Sequence, residues 1–278
     1  MPISVNQDKT TVQSFGDEWC RMNQRELNEE ERAKIFNDYF SIFPFDLIGS
    51  DSVGFDMGCG SGRWAALIAP KVKKLVCIDA SQDAMIVAEN NLADFNNIEY
   101  KVASVDQTGF GAFVFDFGYS LGVLHHLPDT SAGIESCAIL LKPGAPFLMY
   151  LYFAFDNKPF WYKIIWKLSE LLRKSVNKLP PVVKSIVTDI LAIVLYWPTA
   201  QLSSLAERLG FSVDNFPLSY YRDKSFYTMR TDSRDRFGTP LERRFSKNEI
   251  RNMLEIAGFE KIQFSESRPY WVSVAIKK

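Results

Sequence analysis

The chain reads as an α/β protein built on a mostly parallel sheet, with helical segments before the sheet and a large helical insertion after its fifth strand. Three observations predict this. From Ser52 to Ala154 short β-rich runs alternate with helical patterns, as in strand–helix–strand units. A glycine-rich turn, Asp56-Met57-Gly58-Cys59-Gly60-Ser61-Gly62, lies between the first of those strands and its helix. Near the end, a helix opened by a capping box and two further β-rich runs return to the same pattern.

Composition bounds the reading. At 278 residues and 31.8 kDa the chain suffices for one large domain or a domain with a substantial insertion. With 47% hydrophobic and 23% charged residues it can bury a core, which excludes long-range disorder. A net charge of -1 and a pI near 6.2 supply no global basic field, so no nucleic-acid partner is expected. Cys20, Cys59, Cys77 and Cys137 are scattered without a C-x-x-C pair, which argues against a disulfide framework and a zinc site, predicts no metal, and fits a reducing cytoplasm. The first eleven residues are polar and carry no signal-peptide pattern. The most apolar run, Val182 to Trp197, holds Lys184 and Asp189 and lies between Pro181 and Pro198, so it is expected to be too short and too interrupted to span a membrane.

Taken in order, residues 1–50 form an N-terminal helical cap. Its aromatics Phe15, Trp19, Tyr39 and Phe40 are candidates for a lid, beside the ordinary role of core packing. Residues 51–154 form the core: strands at Val53–Met57, Leu75–Asp79, Ile98–Val102, Val114–Tyr119 and Pro146–Phe153, and helices at Ser61–Ala69, Gln82–Ala93 and Ser131–Leu140. Lys142-Pro143-Gly144 turns the last helix into its strand. Residues 155–245 form the insertion, helical where Trp161, Ile164, Ile165, Leu168, Leu171 and Leu172 recur at helical spacing, then irregular. Residues 151–250 hold 16 lysines and arginines against 10 acids, so this is the basic part of a charge-asymmetric chain. In residues 246–278, Ser246-Lys247-Asn248-Glu249 opens a helix through Ala257 that Gly258 stops, and strands near Phe259–Glu266 and Tyr270–Ile276 rejoin the sheet.

The glycine turn and the acid after it carry the chemistry. Glycines at a strand-to-helix turn admit unusual φ and let backbone approach a ligand. Asp79 ends the second strand, where a carboxylate can accept from both ribose hydroxyls of a nucleoside. The spacing is G-x-G-x-G with Asp56 two residues ahead, not the G-x-G-x-x-G of dinucleotide sites. A carboxylate there repels a pyrophosphate and suits an ammonium group, which favours an amino-acid nucleoside over NAD.

These residues resemble the class I S-adenosylmethionine-dependent methyltransferases, in particular the branch of quinone and small-molecule enzymes. The likeness runs from Phe55 to Phe153 and returns more weakly at Phe245–Lys278. It implies a Rossmann-like, seven-stranded, mostly parallel sheet holding S-adenosylmethionine over the strand ends, with S-adenosylhomocysteine as product. Asp56, Gly58, Cys59, Gly60 and Gly62 match the motif around the methionine portion, Asp79 the ribose-binding acid, and Ala80 a position lining the adenine pocket. The adenine-side acid is either Ser104 in its stead or Asp106 from a shifted loop, with Val105 as a backbone donor. Ser120, Leu121 and Gly122 match pocket backbone after the fourth strand. Arg63 either approaches the methionine carboxylate or is solvated.

Both histidines of the chain follow at once, in Val123-Leu124-His125-His126-Leu127. Methyl transfer is an in-line displacement, so positioning is needed and a base helps only if the acceptor must lose a proton. His125 or His126 is that base, or one packs the loop; His125 also borders the cofactor positions. In the resembling enzymes the insertion is where acceptor specificity resides. Trp19, Tyr39, Tyr220, Tyr221, Arg222 and Arg244 are its candidates here, the arginines suiting an anionic acceptor. Arg234 and Arg236 alternate with acids in a manner that suits surface ion pairs. The apolar helices suit a buried core, a greasy wall for a lipid-linked acceptor, a homodimer face or peripheral membrane contact. No N-P-P-[FYW] tetrad follows the fourth strand, so the acceptor is expected to be a small molecule, a glycan or a lipid-linked metabolite methylated on O, N or C. The alternative from another class is a non-catalytic cofactor-binding scaffold.

Overall fold

Strands that are apolar on both sides belong in the middle of a parallel sheet, covered twice. The strand β1 (Val53–Met57) is buried at every position but its first, and β2 (Lys74–Asp79) is buried from Leu75 to Ile78. A computed structural model of the chain describes residues 5–278 and brings these two together at its centre. Around them lie β3 (Ile98–Val102), β4 (Phe117–Leu121), β5 (Pro146–Tyr150), β6 (Phe259–Phe264) and β7 (Val272–Lys277), in the order β3-β2-β1-β4-β5-β7-β6. The first five run parallel, and β7 is antiparallel to both β5 and β6. Strand order reverses between β1 and β4, so their carboxyl ends open the crevice at which open α/β sheets bind ligands.

Inside the sheet, small residues face large ones. A β-carbon on Gly54 would lie 2.2 Å from the Phe117 ring, and one on Gly118 would lie 2.3 Å from the Phe55 ring. Each phenylalanine lies over the neighbouring strand's glycine, and Phe55 also meets Phe115 edge-on at 5.2 Å. Phe55→Ala leaves a cavity there and is expected to lower stability by roughly 3–5 kcal/mol, read by urea denaturation. A loss under about 1 kcal/mol would show that the core closes over the gap.

Helices α1 (Lys9–Arg21), α2 (Glu29–Phe40), α3 (Ala65–Ile68), α4 (Gln82–Asn91), α5 (Thr130–Leu140) and, after the insertion, a last helix at Lys247–Ile256 accompany the sheet. Three core elements differ from expectation, the first being β5, which was expected to run to Phe153 and ends at Tyr150. The helix expected over Ser61–Ala69 shortens to α3, because the Gly62 amide first closes a turn onto the Cys59 carbonyl, and a 3₁₀ turn containing Pro70 follows. The strand expected at Val114–Tyr119 starts later, at Phe117, because the amides of Val114 and Phe115 are taken by the Leu140 carbonyl.

The described residues divide into two units. The first holds the chain through Gln24, Ala33–Ala154 and Leu241–Lys278; the second holds Arg25–Arg32 and Phe155–Pro240. Leu241–Phe245, read from sequence as insertion, belongs with the sheet unit, since the Phe245 amide donates to the Tyr152 carbonyl and its carbonyl accepts from Ala154. In the second unit, α6 (Phe160–Val176), α7 (Pro181–Leu191) and α8 (Trp197–Arg208) lead to α9 (Phe226–Gly238), and the last helix of the sheet unit is then α10. The stretch from Phe226 that sequence left irregular is thus a helix, capped by Ser225 on the Thr228 amide. Its alternating Arg and Asp hide the apolar periodicity by which helices are found.

A second correction concerns Val182–Trp197. Pro198 does not end the helix: a π-turn at Ala192–Tyr196 joins α7 to α8, giving 28 residues, Pro181–Arg208, long and apolar enough by length and composition to cross a membrane. A widened turn ahead of a proline relieves its ring clash and missing amide.

Candidate functional site

The crevice at β1 and β4 is built by backbone first. The amides of Gly58 and Cys59 both donate to the Ile78 carbonyl, at 2.7 and 3.1 Å, which pins the glycine turn to the end of β2. Asp79 then bridges turn and helix: Oδ2 accepts from the Gly60 amide and Oδ1 from the Ser81 amide, each at 2.9 Å. Ser81 in turn caps α4 through the Ala84 amide. Burial holds the Asp79 carboxyl above its ordinary range, and the amides of Ser81, Gly60 and Ala80 pull it back. Gly58, at φ +80°, has no room for a side chain, since a β-carbon would meet Val123 at 2.3 Å.

Asp56, one residue before the end of β1, is buried. Its Oδ2 has no hydrogen-bond partner among the described residues, and neither has the buried hydroxyl of Ser61. Burial pushes the Asp56 carboxyl up to about 8; the Tyr119 hydroxyl beside it pulls the other way, Asp79 adds to the rise, and Arg63 opposes it. Asp56 Oδ2 is therefore a buried acceptor left open at the glycine turn. The Cys59 thiol is held well above its ordinary range by its contact with Cys77 and by burial, so it is a spacer and no nucleophile.

Helix α1 covers this turn. A β-carbon on Gly60 would meet the Trp19 indole at 2.8 Å, and one on Gly16 would meet the Ser81 hydroxyl at 2.7 Å. Arg63 stacks between Trp19 and Trp64, its guanidinium 5.6 and 4.4 Å from their rings, and donates to Gln24 Oε1. Ser104 and Asp106, alternatives in the sequence, are joined: the Ser104 hydroxyl donates to Asp106 Oδ1 at 2.8 Å, and the Asn6 amide donates to Oδ2 at 2.9 Å. Asn6 also exchanges side-chain bonds with the Asp129 backbone, which ties the segment before α1 across this edge. Val105 is buried. Ser120 turns inward to the Met57 carbonyl, locking β4 to β1, while Gly122, at φ +79°, has open space before it.

The histidines lie beyond β4 in a wall of aromatics. His125 is fully buried and stacks on Tyr152 at 3.9 Å; neither ring nitrogen has a hydrogen-bond partner among the described residues. Burial, then His126 and Arg244, drive its pKa well below 6.5, so it stays neutral. His126 differs: Nδ1 lies 2.6 Å from the Leu241 carbonyl, which can only accept, so Nδ1 carries the proton and Nε2 the lone pair. Phe15 meets this ring edge-on at 4.9 Å. Tyr39 packs on Tyr150, and Arg244 lies 5.0 Å over Tyr152, held by Glu242. Tyr150, Tyr152 and Glu242 escaped the sequence reading; the available signal was that the tyrosines leave the carboxyl end of β5. Phe40, a lid candidate, is core, stacked on Phe36.

Tyr220, Tyr221 and Arg222 belong to the second unit. There the Tyr221 hydroxyl donates to Asp232, Tyr220 lies under Lys224, and Arg222 is held by Glu207 and the Ser219 carbonyl. Arg234 is buried, and Arg236 bonds Glu170 and the Ser169 hydroxyl. The surface ion pairs expected of these two arginines are interior contacts because α9 is the helix on which the others pack.

Fold and site together define an α/β protein with a glycine-turn crevice at the reversal of strand order. Comparison with known proteins carries this further. A family described as a methyltransferase domain matches residues 55–149. A ubiquinone biosynthesis O-methyltransferase of Coxiella burnetii is 30% identical over 167 residues, which span 57% of this chain and 67% of that protein. One from Xanthomonas oryzae pv. oryzae is 34% identical over 113 residues, 38% of this chain and 44% of that protein. Among solved structures, the Haloferax volcanii complex of the Trm112 methyltransferase activator with a methyltransferase aligns at a TM-score of 0.56 and 13% identity, covering 96% of each chain. A methyltransferase from Thermotoga maritima aligns at 0.50 and 12%, covering 96% of this chain and all of that one; at such identities the likeness is one of fold. The chain belongs to the class I S-adenosylmethionine-dependent methyltransferases.

Proposed function

We propose that the chain methylates a hydroxyl oxygen of a small aromatic acceptor, such as a phenol or catechol. The observation that carries this reading is how two features are joined: the glycine turn after Asp56 packs through Gly58 on Val123, and Val123 leads straight into the aromatic wall around His126, whose Nδ1 is fixed on the Leu241 carbonyl. The relatives' role in ubiquinone biosynthesis supports an aromatic oxygen over an amine.

Residues of the crevice fit the cofactor. Asp56 would meet the ammonium, Gly58 and Gly60 would admit the methionine portion against bare backbone, Asp79 would accept from the ribose hydroxyls, and Ala80, Ser104, Val105 and Asp106 would border the base. When bound, S-adenosylmethionine supplies an electrophilic methyl group on a sulfonium. Trp19 of α1 covers the glycine turn at Gly60 and would exclude water from it. His126 Nε2 accepts the proton of the acceptor hydroxyl, the Leu241 carbonyl holding its tautomer and stabilising the imidazolium. Neutral His125, with Tyr152, Tyr150 and Tyr39, forms an apolar face for the acceptor ring, and Arg244 offers a cation for an acidic substituent.

Product formation with a panel of catechols, phenols and amines tests the reading. His126→Ala is expected to lower kcat on the best phenolic acceptor by about 10² to 10⁴ with cofactor affinity unchanged. Turnover of amines alone, or equal turnover by wild type and variant, would overturn it. A chain that binds cofactor and methylates nothing in the panel would favour the scaffold alternative.

A further inference from the structure

The second unit closes over a small apolar core (Val176, Tyr196, Ala200, Met229 and Phe237), and beside it an unusual set of charged and polar side chains also points inward. Against α9, the buried Arg173 donates to the carbonyls of Thr239 and Pro240, the buried Lys184 to the Gly238 carbonyl, and the Ser233 hydroxyl to the Thr188 carbonyl. Asp189 pairs with Arg230, and Glu170 with Arg173 and Arg236. Two of them, Lys184 and Asp189, are the charges that sequence alone counts as interruptions of the apolar run Val182–Trp197.

The apolar sides face out. On α6, Phe160, Ile164, Leu168 and Leu171 recur at helical spacing and are 76, 51, 62 and 64% exposed. On the continuous helix from Pro181, Val182, Ile186, Ile190 and Ile193 form a second exposed stripe, which Trp197, Leu202 and Leu205 extend beyond the π-turn. A water-soluble helix pair presents the opposite arrangement, apolar in and polar out. Exposed apolar surface on this scale marks a contact with something else.

Charge says what that is. Lys163, Lys167 and Lys174 share one side of α6 and border its apolar stripe, and Lys178 follows in the turn; all four are exposed. The one acid of α6, Glu170, is turned inward onto arginine. A lysine rim along an apolar stripe matches a surface that is anionic at its headgroups and apolar beneath them. A second copy would bring the same lysines and no opposite charge from this helix. We propose that α6 and α7–α8 lie in the interface of an anionic lipid bilayer, stripes down, as an in-plane anchor of the second unit. The inference stands apart from the methyl-transfer reading.

The test is co-sedimentation of the full chain with vesicles of phosphatidylcholine alone or mixed with phosphatidylglycerol, read together with tryptophan emission. Binding at least tenfold stronger to the anionic vesicles is expected, with a blue shift as Trp161 and Trp197 leave water. The variant Ile164→Asp/Leu168→Asp alters only exposed positions and should keep its circular dichroism while losing vesicle binding. Lys163→Glu/Lys167→Glu/Lys174→Glu should remove the preference for anionic lipid, as should high salt. Protein that stays in the supernatant with both vesicle types would overturn the proposal. So would a stable dimer that Leu168→Asp splits and that ignores vesicles, since a second copy would then cover the stripes. Protein that alkaline carbonate fails to release would overturn the in-plane mode in favour of a spanning helix.

Discussion

Asp79→Ala is expected to weaken binding of S-adenosylmethionine by at least a hundredfold. Two losses add in this variant. The ribose hydroxyls lose a charged acceptor, and hydrogen bonds to a charged group are worth roughly 1.5–3 kcal/mol each. The amides of Gly60 and Ser81, both now bonded to this carboxylate, are also released, so the glycine turn loses the bond that holds it against the start of α4. Asp79→Asn separates the two: it keeps one acceptor oxygen for the turn and removes the charge, and should fall between wild type and alanine. Calorimetric titration with S-adenosylmethionine and S-adenosylhomocysteine reads the affinities, with NAD as a control that should not bind. An unchanged affinity in a folded Asp79→Ala protein would move the ribose contact elsewhere in the crevice.

The second large effect follows from Asp56. Its folded pKa, about 8, lies above the ordinary 3.8, so the folded chain holds a proton that the unfolded chain has lost. Below pH 4 both states are protonated and the group contributes no pH dependence. As pH rises from about 4 to about 8 stability declines, by up to roughly 1.4 kcal/mol per pH unit from this group alone, and above about 8 the decline ends. Asp56→Asn removes the titration. Unliganded, the variant should match wild type near pH 4 and exceed it increasingly towards pH 8 in thermal denaturation.

Ligand binding should reverse the sign. An ammonium group next to Asp56 favours the carboxylate, so binding near pH 7 should release up to about one proton. The apparent enthalpy of binding should then change between phosphate and Tris buffers in wild type and remain constant in Asp56→Asn. Equal buffer dependence in the two proteins would assign the proton to another group.

Much of this protein is determined by local sequence. Apolar runs between turns mark β1, β2, β4 and β5, because a strand covered on both faces is apolar nearly throughout. The box Ser246–Glu249 marks the start of α10, because a cap is satisfied within four residues; both of its bonds are present. The glycine turn and Asp79 were legible for the same reason: a strand end, a tight turn and a helix start are short-range features, and the family resemblance rests on them.

What only the tertiary structure decided depends on which distant groups meet. Nothing local distinguishes His125 from His126. One is stripped of partners by Tyr152, and the other is oriented by a carbonyl at Leu241, more than a hundred residues away. Ser104 and Asp106 were alternatives in sequence and are hydrogen-bonded in space. Asp189 and Lys184 read as breaks in an apolar run, yet they are on the inward side, because α9 supplies their partners. Helical periodicity reports that a helix has two faces; which face is turned to the protein is set by the charges and carbonyls waiting on the neighbouring helix, and a buried charge goes where its partner is.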